Sequence, residues 1–284
     1  MAGSLTIHCL LAGGGSFLVD RGRPGRQALG IASGGPADRR ARDAANRLLD
    51  QDKHTTCLEL TLTGGKWLLS GEGQFVLTGA DMNWRLNGRL LEAYTVQYLD
   101  GDGLLTSTAA VKGIRAYLGI QGRWSVPQTL GSAEAGLPGV PNISPGWETT
   151  VHWQQEAPYT SDLDTHQHFH TQPVPLTVIP GPEWNWLTEN QQADLLSNPF
   201  FISAQSSRQG IRLDGPANNY NLPSLISSPV IPGTVQLTPS GPIILGPDAQ
   251  TVGGYPRVLL IPEPETLSTA FQTPIGGTVA LQIR

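Results

Sequence analysis

The chain has 284 residues, of which only 14% are charged, and its formal net charge is −5. Low charge without a basic block argues against binding to a nucleic-acid backbone, and the apolar runs are too short to form a membrane-spanning helix. Gly and Pro together number 57, with 34 and 23 residues, which is typical of short strands joined by turns.

The first 122 residues consist mostly of short, often alternating apolar segments separated by Gly-containing turns, a pattern typical of β-sandwiches and barrels. The opening residues fit a first strand and not a signal peptide. Cys9 and Cys57 lie in apolar, strand-like surroundings that are typical of buried thiols. We therefore expect a cytoplasmic location.

One early segment departs from the β pattern. Its apolar residues recur at the spacing of one helix face and predict a helix near residues 37–50; they are Ala41, Ala44, Ala45, Leu48 and Leu49. A second, less regular helix is predicted within residues 185–198. Each half of the chain thus combines several strands with an early helix, which two similar barrels would satisfy.

A polar stretch separates the two halves. We predict a subdomain at residues 1–155, a linker at 156–173 and a second subdomain at 174–284. The linker contains alternate histidines that could bind zinc if they lay on a strand, namely His166, His168 and His170. The alternative is a solvated linker. Because its composition argues against a rigid ligand frame, we expect no bound metal.

Two common catalytic motifs are absent from the sequence. No Gly-rich loop is followed by the Lys that a P-loop needs, and no G-x-S-x-G motif is present. We therefore expect no P-loop type of ATP binding and no nucleophilic serine elbow in this chain.

The turn at residues 32–38, "ASGGPAD", offers backbone N–H groups and the carboxylate of Asp38 to a ligand. The alternative is an ordinary helix N-terminus, where Asp38 favours the helix dipole. Farther along, Arg208 and Arg212 lie near a Gly turn, where a guanidinium could bind a small carboxylate. A strand salt bridge to Asp214 explains the same spacing equally well.

The loop between the apolar runs "PIIL" and "RVLLI" has about ten residues, more than a hairpin needs. Ordered long loops often carry function. Asp248 can act as a base, while glycines permit close backbone approach. The candidate ligand-binding residues of this loop are Gln250, Thr251, Gly253, Gly254 and Tyr255.

Several blocks resemble the biotin-dependent carboxyltransferase family, also called allophanate hydrolase subunit 2. The most specific are "GGPADRRARDAAN" and "GPDAQTVGGYP", and further blocks follow in the family's order over nearly the whole chain. The resemblance implies two cyclophilin-like β-barrel subdomains, with one or two short helices each and an active site in the cleft between them.

The resemblance also implies which residues act. From the first half it points to Asp38, Asn46 and Glu59; from the second half it points to Arg208 and the loop residues from Asp248 to Tyr255. Asp248 and Asp38 are the expected catalytic carboxylates, and Arg208 is expected to bind the substrate carboxylate. Backbone N–H groups at Gly253–Gly254 or Gly34–Gly35 would stabilise an oxyanion.

The family resemblance leads us to expect a PxpC-like component of an ATP-dependent 5-oxoprolinase, acting on a small cyclic amide. It implies a KipI/PxpB-like partner and a further PxpA-like partner, with ATP used by the complex and no cofactor bound by this chain. One alternative is carboxyl transfer from a biotin carrier supplied in trans to a urea-like amide. Another is a non-catalytic, KipA-like antagonist of a KipI-like regulator.

Some positions depart from the family pattern. Residues 132–148 lack the usual basic stretch, Ser207 replaces a usual acidic residue, and Gly277 lies where an acidic residue is common. These differences are compatible with a changed substrate or with lost activity.

Overall fold

In the computed structural model of the chain, the described residues are 2–154, 172–215, 220 and 222–284. They form nineteen strands and three α-helices, which confirms the mainly β prediction. The predicted linker residues 156–171 and their histidines lie outside this part of the chain. No helix within it is long and apolar enough to cross a bilayer.

The chain divides into two units whose boundary is not a single point in the sequence. The first unit holds residues 1–22 and 39–168, and the second holds residues 23–38 and 169–284. Segment 23–38 therefore belongs with the second unit, although the sequence-based boundaries put it in the first subdomain.

The first unit is built on a ten-stranded sheet in the order β2-β3-β8-β4-β1-β10-β9, in which β7 also pairs with β4, β5 pairs with β7, and β6 pairs with β5. The paired strands are antiparallel. Its strands are β1 (Ala2–Leu11), β2 (Ser16–Val19), β3 (Cys57–Thr61), β4 (Lys66–Asp81), β5 (Arg85–Leu86), β6 (Arg89–Leu90), β7 (Gln97–Thr106), β8 (Lys112–Ile120), β9 (Arg123–Trp124) and β10 (Glu148–Gln154).

Alternation along the strands decides what this sheet buries. Leu5, Ile7 and Cys9 of β1 point to one face and are fully buried. Both cysteines are free and buried, as predicted. Burial raises the pKa of Cys57 to about 12, so this thiol stays protonated and does not act as a nucleophile at neutral pH.

The predicted early helix is α1 (Arg39–Leu48). Its small residues Ala41 and Ala45 are buried in one cluster with Val76 and Tyr117 of the sheet. A Cβ atom at Gly119 of β8 would lie 3.2 Å from the Cβ of Ala45, so the glycine allows the helix to lie close to the strand.

The second unit is a closed barrel with strand order β11-β18-β15-β16-β13-β12-β19. Only this unit shows the barrel closure predicted for both, since the described strands of the first unit form a half-barrel. Its strands are β11 (Val174–Pro180), β12 (Phe200–Ile202), β13 (Gly210–Asp214), β14 (Ser228–Pro229), β15 (Thr234–Thr238), β16 (Gly241–Leu245), β17 (Val252–Gly253), β18 (Arg257–Leu260) and β19 (Thr278–Ile283).

Two helices pack against this barrel. The predicted second helix is α2 (Glu189–Ser197), which begins with a capping box. The backbone N–H of Gln191 donates to Thr188 Oγ1 at 3.3 Å, and the backbone N–H of Thr188 donates to Gln191 Oε1 at 2.9 Å. The third helix, α3 (Pro264–Gln272), was not predicted from the sequence. Pro264 lies in its first turn, a position that proline favours.

A buried ion pair fixes the chain before α2 to the barrel wall. Glu183 accepts from Arg257 Nε at 2.9 Å and from Arg257 Nη2 at 2.7 Å, and it also accepts from the Arg257 backbone N–H at 2.9 Å. The side chains are 8% and 21% exposed. These hydrogen bonds from Arg257 lower the pKa of Glu183 below its ordinary value.

We predict that Glu183→Gln lowers the free energy of unfolding at pH 7 by about 1–3 kcal/mol, the usual range for a hydrogen bond to a charged group. Because the folded state depresses the pKa, the stabilisation is present above the unfolded-state pKa of about 4.3 and is lost as the pH falls below it. Urea titrations from pH 7 to pH 3 should therefore show a smaller acid-induced loss in the variant than in the parent.

The matched control is Glu263→Gln, because Glu263 pairs with Arg284 at the surface, where the side chains are 45% and 72% exposed. Such pairs contribute about 0–1 kcal/mol. Equal stability and equal acid dependence of Glu183→Gln and the parent would contradict this account.

Candidate active site

The centre of the candidate site is a two-pronged ion pair between Arg208 and Asp248. Arg208 Nε donates to Asp248 Oδ2 at 2.7 Å, and Nη2 donates to Oδ1 at 2.9 Å. The Arg208 side chain is 8% exposed, whereas that of Asp248 is 37% exposed. The planar guanidinium therefore fixes the orientation of a carboxylate that still reaches solvent.

Sheet register brings these two residues together although they are 40 positions apart. Strands β13 and β16 are antiparallel, and Gly210 at the start of one faces Leu245 at the end of the other. Backbone bonds extend the pairing past the strands: the Asp248 amide donates to the Arg208 carbonyl at 3.3 Å. The two side chains are thus held on neighbouring loops at one end of the barrel.

Gly246 makes this close approach possible. A Cβ atom there would lie 2.2 Å from the Arg208 carbonyl oxygen and 2.5 Å from Cζ of Phe271 in α3. Any side chain would push the loop away from both neighbours. This glycine was not among the residues predicted from the sequence.

Segment 23–38 supplies the next part of the site. The Gly34 amide donates to the Pro247 carbonyl at 2.9 Å, and Arg208 Nη2 donates to the Gly35 carbonyl at 2.8 Å. Both glycines have positive φ values, 64° and 91°, in the region that side chains disfavour. The guanidinium of Arg208 therefore joins the Gly34–Gly35 turn to the Asp248 loop.

Asp38 lies three residues beyond that turn and is 4% exposed. Its Oδ2 accepts from Gln272 Nε2 at 2.9 Å, and Gln272 is the last residue of α3. The sequence-based interpretation assigned Asp38 to the opposite half of the molecule from Arg208. In the structure both residues belong to the second unit, because the chain passes through that unit before α1 begins.

The remaining loop residues are paired with a neighbouring segment. The Leu225 amide donates to the Gly254 carbonyl and the Val230 amide to the Thr251 carbonyl, each at 3.0 Å. Between these bonds, β14 pairs with β17. The side chains of Gln250 and Tyr255 are exposed, and their role in substrate binding stays a prediction.

Gln236 is a component of this loop's surroundings that sequence reasoning missed. It is 2% exposed; its Nε2 donates to the Tyr255 carbonyl at 3.0 Å, and its Oε1 accepts from Gln250 Nε2 at 3.3 Å. A Cβ atom on Gly253 would lie 2.5 Å from Gln236 Nε2. The sequence did contain a signal for Gln236, because it is a polar residue in a strand-like segment between two apolar neighbours, Val235 and Leu237.

Asn46 serves the first unit as a structural link. Its Nδ2 donates to the carbonyls of Lys53 and Thr55 at 2.9 and 2.8 Å, while Oδ1 accepts from Gln51 Nε2 at 2.8 Å and Cys57 Sγ at 3.3 Å. The fully buried amide therefore anchors the loop that follows α1.

Glu59 is also fully buried in the first unit. It accepts from the Tyr117 hydroxyl at 2.8 Å and lies 3.7 Å from Arg115 Nε. The pairing of β3 with β8 places Glu59 opposite Tyr117. These contacts give both Asn46 and Glu59 packing roles, and their proposed functional roles stay predictions.

The arrangement in the second unit can hold and move a proton. An oriented carboxylate with partial exposure can accept a hydrogen bond from water or from a ligand. Nε and Nη2 of Arg208 donate hydrogen bonds to Asp248 and to the Gly35 carbonyl. Arg208 therefore acts here by positioning Asp248. In the part of the chain that the structure describes, no three His, Cys, Asp or Glu residues group as metal ligands do.

Residues 29–283 match the family model described as "Carboxyltransferase domain, subdomain A and B". The chain is similar to the C subunit of 5-oxoprolinase from Escherichia coli (strain K12), with 29% identity covering 96% of this chain and 89% of that protein. It is also 24% identical to urea amidolyase of Saccharomyces cerevisiae (strain ATCC 204508 / S288c), covering 91% of this chain and 16% of that protein.

Two solved structures are similar in fold. The crystal structure of TTHA0988 matches with a TM-score of 0.84 and 25% identity, covering 98% of this chain and 56% of that chain. The K. lactis urea amidolyase matches with a TM-score of 0.86 and 22% identity, covering 97% of this chain. This chain therefore spans just over half of the first structure and 18% of the second.

We predict that Asp248→Asn lowers the free energy of unfolding by about 1–2 kcal/mol, because a mostly buried guanidinium loses its counter-charge. This loss of unfolding free energy is smaller than the loss expected on breaking a fully buried ion pair, because water reaches the Asp248 carboxylate. In an Arg208→Gln background, the same change should cost much less.

Urea unfolding of the two single variants and the double variant measures this coupling. Asp214→Asn is the matched control, because Asp214 is an exposed aspartate of the same unit and loses the same charge. Strictly additive effects of Asp248→Asn and Arg208→Gln would rule out the ion pair as a contributor to stability.

Proposed function

Because the chain belongs to the carboxyltransferase domain, subdomain A and B family, we propose that it is the PxpC-like component of an ATP-dependent 5-oxoprolinase. The observation that carries this proposal is the 29% identity to the C subunit of a 5-oxoprolinase over 96% of this chain and 89% of that protein. The complex would hydrolyse the lactam of 5-oxoproline to glutamate, with a KipI/PxpB-like protein and a PxpA-like protein as partners.

In the proposed reaction, ATP transfers its γ-phosphoryl group to the lactam oxygen and leaves as ADP. Water then adds its oxygen to the lactam carbonyl carbon, the C–N bond breaks with a proton going to nitrogen, and a second water hydrolyses the resulting acyl phosphate to glutamate and inorganic phosphate. Asp248 is the proposed group that orients this water and accepts its proton. Its fixed orientation and 37% side-chain exposure support that role. Asp38, beside the Gly34–Gly35 turn, is the second proposed carboxylate.

Two parts of the expected mechanism need adjustment. Arg208 was expected to bind the substrate carboxylate, but two of its nitrogens contact Asp248 and Gly35, so we propose a positioning role. Since the Gly34 amide already donates to Pro247 and Gly253 is paired with Ser228 in the β14–β17 ladder, we propose the Gly254 amide as the donor to an oxyanion. Thr251, Gln250 and Tyr255 complete the proposed substrate-binding loop.

A second candidate function is carboxyl transfer from a biotin carrier to a urea-like amide. Two observations favour it: the family's description as a carboxyltransferase domain and the 24% identity to a urea amidolyase over 91% of this chain.

The proposal for either enzyme includes a cytoplasmic location, which the two free thiols support because reduced cysteines are typical of that compartment.

We predict that the chain, combined with KipI/PxpB-like and PxpA-like proteins of the same organism, hydrolyses ATP in a manner that depends on 5-oxoproline and yields glutamate. Asp248→Asn should reduce turnover about 10²–10⁴-fold, the usual contribution of a general base. Coupled assays of ADP and glutamate formation measure both products.

Glu183→Gln is the matched control, because it should be destabilised to a similar degree and yet keep its activity. Full activity of Asp248→Asn would refute the proposed role of that carboxylate. If the mixture is inactive on 5-oxoproline but transfers carboxyl from a carboxybiotin carrier to urea, the second function replaces the first. Partner binding without either activity would favour the non-catalytic antagonist.

A further inference from the structure

A groove of about 1190 Å³ lies entirely on residues of the first unit. Five parts of that unit form its walls: the turn after β2, the loop after α1, the β8–β9 corner, the segment after β9 and the end of β10. The volume is somewhat larger than the usual range of about 300–1,000 Å³ for small-molecule sites. None of the residues proposed for 5-oxoproline chemistry lines it.

Four of the six ionisable side chains of the groove are Arg or His. The six are Asp20, Arg21, Asp50, His54, Arg123 and His152. The carboxylate of Asp20 is occupied, because it accepts from the Gly22 amide at 2.8 Å and from Ser132 Oγ and the Ala133 amide at 2.7 Å. Asp50 is thus the only other carboxylate among the described residues that line the groove.

The basic side chains are available for binding. Arg21, Arg123 and His152 are exposed, and none of them makes a side-chain hydrogen bond or ion pair with another described residue. Arg21 comes from a different chain segment than the other two. Two arginines from separate segments that line one concavity, each without an acidic partner, are the kind of donors that an oxyanion needs.

The strand pairing places two of these basic side chains next to each other. Arg123 lies directly opposite His152 in the antiparallel pair β9–β10, so both side chains point to the same face. Because His152 carries no negative charge, Arg123 gains no stabilisation from a cross-strand ion pair with it. An anion between the two side chains would supply the missing acceptor.

Two further polar atoms in the groove wall lack partners. Nε1 of Trp124 and Nδ1 of His54 are buried and make no hydrogen bond among the described residues. Trp124 as a whole is 6% exposed. Buried polar atoms are usually paired, and exceptions often mark ligand or water sites. Because both atoms are closed off from solvent and Trp124 belongs to the hydrophobic core of the unit, the exposed basic side chains, and not these atoms, are the groups that a ligand in the groove can contact.

We propose that this groove is a second binding site, for a small molecule that carries a phosphate or carboxylate group. Arg21 and Arg123 bind the oxygens of that group, and His152 donates a third hydrogen bond. The alternative is that Arg123 only protects the edge strand β9 from pairing with another chain, which requires no ligand. This inference does not depend on the proposed 5-oxoprolinase function.

Isothermal titration of the full chain with pyrophosphate and, separately, with citrate tests the proposal at constant ionic strength set by sodium chloride. We expect saturable binding of at least one probe. Arg21→Gln and Arg123→Gln should each weaken it about tenfold or more, the loss expected for one charge-assisted hydrogen bond. The probe that binds more tightly distinguishes a phosphate ligand from a carboxylate ligand.

Arg89→Gln is the matched control, because Arg89 is an exposed arginine on β6 of the same unit and does not line the groove. It should keep the parent affinity within about twofold, as expected for a screened distant charge. Urea midpoints of all variants verify folding. The proposal is overturned if neither probe binds saturably, or if Arg89→Gln weakens binding as much as Arg123→Gln does.

Discussion

A guanidinium with 8% exposure needs both a counter-charge and acceptors for its N–H groups, and the arrangement of the candidate site follows from meeting that need at Arg208. Asp248 provides the charge and two acceptor oxygens, and the Gly35 carbonyl provides another acceptor. The three chain segments that meet here are far apart in sequence. Arg208 belongs to one of them and contacts the other two, and strand register and backbone hydrogen bonds hold those two beside it, so no local motif defines their meeting point.

Glycine makes the convergence sterically possible. Gly246 lets the Asp248 loop approach the Arg208 carbonyl and Phe271, and the Gly34–Gly35 turn has positive φ values at both positions. Each glycine is costly in conformational entropy when the chain folds. Their concentration around one ion pair, where the backbone must approach closely, supports a site whose geometry is built in before any ligand binds.

Arginines serve two different purposes in this structure. In the second unit the partly buried arginines Arg208 and Arg257 are paired with carboxylates, so their charge serves to position loops. In the groove of the first unit Arg21 and Arg123 have no such partner among the described residues. A low-charge chain that leaves two arginines unpaired in one concavity has the donors that an anionic ligand requires.

The sequence by itself determined the local elements. Alternating apolar residues predicted the β-rich character, and the spacing of Ala41, Ala45 and Leu48 predicted α1, because side-chain direction follows directly from backbone period. Helix α3 was missed although Pro264 and Glu265 are acceptable in a first turn, since its five buried residues include Ser268, Thr269 and Gln272 and give no clear apolar stripe. Prediction therefore succeeded where hydrophobic period alone decides the structure.

Only the tertiary structure decided which residues meet. The sequence singled out Asp38, Arg208 and Asp248. Long-range packing decided three other features: segment 23–38 belongs to the second unit, Gln272 donates a hydrogen bond to Asp38, and Gln236 contacts the Asp248 loop. Antiparallel register places Arg208 beside Asp248, and among the described strands only those of the second unit close into a barrel. Register and closure are set by contacts between distant strands, which a local pattern of residues does not encode.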